Sequence, residues 1–102
     1  MIYVIATIEV AAGKQQEFLG HFHRLTPHVR AEQGCLDYTP TTDVETSIGA
    51  QISTRPDVIT VVEKWEDIEA LEAHLVAPHM LQYRQVVKDL VIAVSLQVLQ
   101  PA

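Results

Sequence analysis

Residues 58–66, Val-Ile-Thr-Val-Val-Glu-Lys-Trp-Glu, constrain the fold of this chain more than any other segment. The run is dense in β-branched residues, follows the turn-forming pair Pro56-Asp57 and ends where a helical pattern begins. It reads as a strand that feeds directly into a helix. Alternation puts Ile59, Val61, Glu63 and Trp65 on one side and Val58, Thr60, Val62 and Lys64 on the other. Both sides are largely apolar, and a strand apolar on both faces is covered on both. A chain of 102 residues makes a single domain over 1–102, with one core and too little length for helices on both sides of a sheet. The second cover is expected from another subunit, so the sequence predicts a homodimer.

The rest of the chain supplies the partners of that strand. Residues 2 to about 11 alternate, with Ile2, Val4, Ala6, Ile8 and Val10 on one side and Tyr3, Ile5, Thr7 and Glu9 on the other, which predicts a first strand. Gly13 supplies a turn. From Lys14 to about Gln33, Phe18, Phe22, Leu25 and Val29 recur at spacings of four, three and four, the stripe of an amphipathic helix. Thr26-Pro27 predicts a kink or break in it, because proline lacks a donor and clashes with the preceding turn; Gly34 is expected to end it. Cys35 to about Thr42 reads as a second strand, placed at a sheet edge by Pro40. Residues 43–55 read as a long loop over a pocket mouth, with Ile48 and Ile52 hinting at a short extra strand. Asp67 is placed to cap a helix that buries Ile68, Leu71 and Leu75. Pro78 stops that helix and suits the first turn of the next, whose inner face is Met80, Tyr83 and Val87. Leu90 to Leu99 is a final strand. The order strand, helix, strand, strand, helix, strand predicts an α+β, ferredoxin-like split βαβ (βαββαβ) fold with an antiparallel sheet and helices on one face. On the bare face, Tyr3, Ile5 and one side each of the third and fourth strands would leave an apolar patch too large for a monomer, which pairing two such faces removes.

Charge and composition exclude several classes. The net charge is −6 with only seven Lys and Arg, which speaks against a nucleic-acid partner. Glu9 lies inside the N-terminal apolar run and no basic residue precedes it, so neither a signal peptide nor a membrane span is expected. The lone Cys35 fits a reducing compartment, and the cytoplasm is the expected location. Five histidines invite a metal, yet His21 and His23 would point to different sides of a helix and His74 and His79 straddle a proline, so no metal site is predicted. A glycine-rich nucleotide loop is absent, so no bound flavin or nicotinamide is expected either.

Three segments carry a resemblance. Glu32-Gln33-Gly34-Cys35-Leu36-Asp37-Tyr38, Val62-Glu63-Lys64-Trp65-Glu66 and Ala70-Leu71-Glu72-Ala73-His74-Leu75-Val76-Ala77-Pro78-His79, in this order and at these separations, resemble the antibiotic biosynthesis monooxygenase domain family. The similarity covers nearly the whole chain. It implies a ferredoxin-like fold paired sheet to sheet into a dimeric α+β barrel, with a pocket in each subunit between its helices and its own sheet. It also implies cofactor-independent oxidation of quinols and polycyclic phenols, haem degradation or isomerase chemistry, the activities found in the family. Haem-degrading relatives use Asn, Trp and His where this chain has Ala6, His74 and Arg84, so haem is disfavoured. Relatives that oxidise polycyclic phenols carry Asn, Tyr and His where this chain has Val61, Leu71 and Thr41, so the resemblance does not carry their substrate over.

Cofactor-free oxygenation sets its own requirements. Triplet dioxygen reacts slowly with closed-shell molecules, so the substrate must be electron-rich, typically a phenolate, held as an anion in a dry site. Trp65 is a candidate flat wall, or equally a core tryptophan. Arg84, which matches an arginine of the phenol-oxidising relatives, would hold the anion. Glu63, with its pKa raised by burial, and His74, which matches the family histidine, are the candidate bases. Tyr38 would orient a ligand and His79 would cap or line the pocket mouth. Strand parity adds Ala6, Ile8, Val10 and Val61 to the wall, and Leu71 joins it from the helix. The expected function is a small monooxygenase turning a quinol or polycyclic phenol into a quinone, with a small aromatic substrate, dioxygen and a second copy as its only partners. The alternatives are an isomerase or lyase working by proton transfer, and a non-catalytic dimer that binds a small ligand.

Overall fold

The computed structural model describes residues 1–102. The elements run β1 (Ile2–Val10), α1 (Gln15–Arg30), β2 (Cys35–Thr41), β3 (Val58–Trp65), α2 (Ile68–Leu75), α3 (Pro78–Val87) and β4 (Val91–Leu99). The strands form one antiparallel sheet in the order β2-β3-β1-β4, with the helices on one face, an α+β ferredoxin-like fold. Pro40 sits on β2, an edge strand, where its missing donor costs no ladder bond. No helix is long and apolar enough to cross a membrane.

The register fixes which side chains meet the helices. β1 and β3 pair without interruption from Ile2 opposite Trp65 to Glu9 opposite Val58. Ile2, Val4, Ala6, Ile8 and Val10 therefore share a face with Ile59, Val61, Glu63 and Trp65, and all nine are buried. Against them α1 lays Phe18, Phe22, Leu25 and Val29, the stripe its spacing predicts. The register slips occur elsewhere, at Glu9/Val10 against β4 and at Cys35/Asp37 against β3. On β4, Val94, Leu96 and Val98 face the helix side opposite Ile8, Ala6 and Val4, yet all three are exposed, because no helix reaches over that edge.

Several expectations are corrected. α1 continues through Pro27 without a break. Proline removes only the bond to His23, one turn from the helix end, and Leu25, Thr26 and Val29 are buried around it. Thr26 Oγ1 donates to the Phe22 carbonyl at 2.9 Å, adding a local tie. The helix ends at Arg30 rather than at Gly34. Gly34 is instead the turn residue just before β2, at φ +84°, where an added Cβ would lie 2.6 Å from Ala70 Cβ, so it lets α2 close on the end of β2. Residues 42–57 contain no strand, and Ile48 and Ile52 are exposed. Asp67 does cap α2, accepting from the Ala70 N–H at 2.8 Å. Its buried positions, however, are Leu71 and His74, while Ile68 is exposed. Pro78 opens α3 at its first turn, so α2 and α3 are two short helices meeting at Val76-Ala77.

Candidate functional site

Between the sheet and the short helices lies a cavity of about 420 Å³, within the range of small-molecule sites. Ala6 and Ile8 of β1, Val61 of β3, and Val94 and Leu96 of β4 make its floor. Phe22, Leu75, Met80 and Val87 close it from the helices. Into this apolar box project Tyr38, Glu63, His74, Tyr83, Arg84 and Lys88. The 43–55 loop does not reach it; its residues line a separate polar cleft with Gln15.

Strand parity brings Glu63 to the wall, and the indole of Trp65, two residues on, lies behind it. Trp65 is fully buried, does not line the cavity and donates from Nε1 to Glu63 Oε1 at 3.0 Å. The expected stacking wall is therefore corrected to a supporting tryptophan. Burial pushes the Glu63 carboxyl up to about 7, against the Trp65 hydrogen bond and with a smaller push from the Glu32 carboxylate.

His74 is 2% exposed, with its ring packed 4.7 Å from Trp65 and edge-on to Tyr38 at 5.3 Å. Its Nδ1 lies 2.9 Å from Glu32 Oε2, and the same oxygen lies 2.6 Å from Nε2 of His79. Burial holds the His74 imidazole below its ordinary pKa, with Glu32 opposing that shift. His79 is not at the cavity mouth. It lines a second cleft between α1 and α3 with His21, Arg24, His28 and Gln82. Leu71 is likewise buried without touching the cavity, and Val10 is core.

The aromatic wall is built by α1 and β2. Phe22 stacks on Tyr38 at 5.5 Å and meets Tyr83 edge-on at 5.8 Å. Burial raises both tyrosine hydroxyls above their ordinary range, keeping them neutral donors. Arg84 on α3 and Lys88 at its C-terminal cap, one turn apart, are exposed at the rim and take part in no ion pair. Lys88, Tyr83 and Glu32 went unread as site residues. Helical spacing from Arg84 reaches Lys88, and the inner face of α3 already held Tyr83. Nothing local links Glu32 to His74, 42 positions away.

Glu32, His74 and His79 bring a carboxylate oxygen and two imidazole nitrogens to within 4.8 Å of one another, the spacing of a three-atom cation site. In their present arrangement the shared oxygen is in hydrogen-bond contact with both nitrogens, so they form a hydrogen-bonded triad. The cavity as a whole can bind a flat apolar molecule, hold an anion at its rim and move a proton at Glu63 or His74.

The model of the family described as "Antibiotic biosynthesis monooxygenase" matches residues 1–86. The chain is 40% identical over 103 aligned positions to the Escherichia coli K12 protein named "Probable quinol monooxygenase YgiN", covering 99% of this chain and 98% of that one. The crystal structure of PA3566 from Pseudomonas aeruginosa superposes with a TM-score of 0.80 at 28% identity, covering 99% of this chain and 93% of that one. Rv0793 from Mycobacterium tuberculosis shares the fold, with a TM-score of 0.79 at 24% identity over 99% and 94% of the two chains.

Proposed function

Since the chain belongs to the antibiotic biosynthesis monooxygenase family, we propose that it is a small monooxygenase that oxidises a quinol or polycyclic phenol to a quinone with dioxygen and without a cofactor. The full-length likeness to a protein named as a quinol monooxygenase supports the monooxygenase role. The observation that carries the finer reading is the cavity itself, apolar on nearly every side, with a carboxyl, an imidazole and a guanidinium converging on it.

The chemistry follows from those groups. His74 or Glu63 takes the substrate hydroxyl proton, and Arg84 holds the phenolate at the rim, where its charge is permanent. The phenolate passes an electron to dioxygen, the pair recombines at a ring carbon, and cleavage of the O–O bond leaves a carbonyl on carbon and releases the other oxygen as water. A phenol becoming a quinone in this way gives up four electrons, which are the four that dioxygen requires. No outside reductant enters the balance. A quinol oxidised only to its quinone gives up two, and the second product is then hydrogen peroxide. Tyr38 and the apolar floor orient the ring and exclude water, which strengthens the hold on the anion.

The working unit in this reading is a homodimer in the cytoplasm. Support for the dimer comes from exposed apolar side chains, Val62 and Leu99 on the face away from the helices and Val94, Leu96 and Val98 along the β4 edge. Cys35, a single free cysteine, supports a reducing compartment. An oxygen electrode run on the purified, metal- and flavin-free protein with a panel of naphthols, anthrols and quinols tests the function. Oxygen uptake matched by quinone formation is expected. Conversion of a ligand without oxygen uptake would replace this reading by the proton-transfer alternative, and quenching of Trp65 fluorescence without any turnover would leave a binding protein.

A further inference from the structure

Two buried acid-base groups face the cavity, and the geometry distinguishes their tasks. We propose that His74 is the base, and that Glu32, outside the cavity, is the positioning residue that fixes the imidazole with its proton on Nδ1 and its lone pair on Nε2, directed at the substrate hydroxyl. The assignment rests on the oxygenase reading of the same cavity.

The first support is the pairing of Nδ1. Its partner at 2.9 Å is a carboxylate oxygen, which can only accept, so the imidazole nitrogen facing it carries the hydrogen. The second is the other nitrogen. His74 Nε2 has no hydrogen-bond partner in the protein, yet it is not fully buried as Thr60 Oγ1, the one fully buried side-chain polar atom without a partner, is; His74 lies on the cavity wall, the side from which a substrate hydroxyl would reach that nitrogen. The third is how firmly Glu32 is held. His79 Nε2 contacts the same oxygen at 2.6 Å from α3, so a turn residue is clamped between two helices, and the clamp sets the plane of the His74 ring. Carboxylate, imidazole and open nitrogen reproduce the logic of an acid-oriented base: the anion selects the tautomer and stabilises the imidazolium once the proton arrives.

Glu63 is differently placed. Its Oε1 accepts the Trp65 N–H, and with a carboxyl pushed up to about 7 it is only partly ionised near neutral pH. It suits holding a proton near the departing oxygen better than removing one. In a turnover His74 Nε2 takes the hydroxyl proton while the new N–H sits opposite the phenolate. That proton, with the one lost from the ring carbon, then returns to the oxygen that leaves as water, and the base is restored.

The charged and titratable groups around His74 are Glu32 from the turn after α1, His79 and Arg84 from α3, Glu63 from β3 and Tyr38 from β2. Glu32 alone raises the imidazole pKa, while burial, the largest effect, and then His79 and Arg84 of α3 lower it. Glu32→Gln keeps an acceptor for Nδ1–H but removes the charge, so it should move His74 titration to lower pH and weaken the base.

The test has two arms. In the first, ¹⁵N spectra of the imidazoles are recorded from pH 4 to 9 for the wild type and Glu32→Gln, with no substrate present. Neutral His74 protonated on Nδ1, and a titration midpoint lowered in the variant, are expected; an Nε2–H tautomer, or a midpoint indifferent to the variant, overturns the proposal. In the second, kcat/KM against pH is compared for the wild type, Glu32→Gln and Glu63→Gln with a phenol that the wild type oxidises. Glu32→Gln should shift the acid limb downward and lower the plateau by about 10²-fold, the scale of general-base catalysis. An acid limb that vanishes in Glu63→Gln and stays unmoved in Glu32→Gln makes Glu63 the base and overturns the assignment. If no phenol or quinol is oxidised at all, the oxygenase reading fails, while the spectra still decide the tautomer and its dependence on Glu32.

Discussion

Replacing Glu63 by Gln should stabilise the protein, and by an amount that depends on pH. The side chain is 4% exposed on the cavity wall, and Gln keeps an oxygen to accept the Trp65 N–H. The wild-type carboxyl moves from 4.5 to about 7 on folding, mainly through burial. A folded-state pKa above the unfolded one means the native protein holds the proton more tightly. That contribution is fully present below pH 4.5 and is lost as pH rises through about 7. At about 1.4 kcal/mol per unit, the wild type gives up about 3 kcal/mol across that window. Gln does not titrate, so the variant should match the wild type near pH 4.5 and exceed it by about 3 kcal/mol above pH 7. For a domain of this length that corresponds to roughly 10–20 °C in Tm. Thermal melts from pH 4 to 8.5 measure it, at one fixed protein concentration so that any self-association contributes equally to both proteins. A difference between variant and wild type that does not change with pH would refute the buried, high-pKa carboxyl and the argument built on it.

Gly34→Ala should destabilise by about 2 kcal/mol or more, since the position combines a left-handed φ with an obstructed Cβ against Ala70; denaturant unfolding reads this directly, and an unchanged midpoint would mean that α2 sits further from β2. Ile5→Glu should convert the proposed dimer to monomer in light scattering at micromolar concentration, whereas Glu45→Lys, on the exposed loop, should not; a wild type that is already monomeric removes the sheet-pairing argument. Arg84→Ala should lower kcat by about 10²-fold with little change in KM if the anion forms only as the reaction proceeds, and a variant with unchanged kinetics excludes the guanidinium from the site.

Most of the fold was legible because a few strong patterns agree with one another. The unbroken alternation of residues 2–10 and 58–65 set which faces are buried, and no bulge interrupts the pairing of those strands, so Ala6, Val61 and Glu63 reached the cavity as parity required. Trp65 shares that parity yet misses the cavity, because the strand ends there and the indole turns back onto Glu63 and His74. Parity specifies a face but not a distance along it. Pro27 shows a similar limit: local propensity predicts a kink or break, while the burial of Phe22, Leu25 and Val29 keeps the helix continuous through it. Ile48 and Ile52 hint at a strand, yet both are exposed in a loop whose ends are tied by Asp43 to Arg55. The Glu32–His74–His79 triad was the least legible feature. Its members lie in three separate elements, and only the closure of α2 and α3 onto the turn after α1 brings them together.

Isotope labelling tests the central claim most directly. The purified protein, with metal removed by chelator and flavin shown absent by absorbance, is incubated under ¹⁸O₂ with a polycyclic phenol, and the product is weighed by mass spectrometry. One ¹⁸O atom in each quinone, with labelled water as the other product, is the predicted result. Quinone oxygen drawn wholly from solvent, or oxidation that appears only after a metal or flavin is added back, would contradict it.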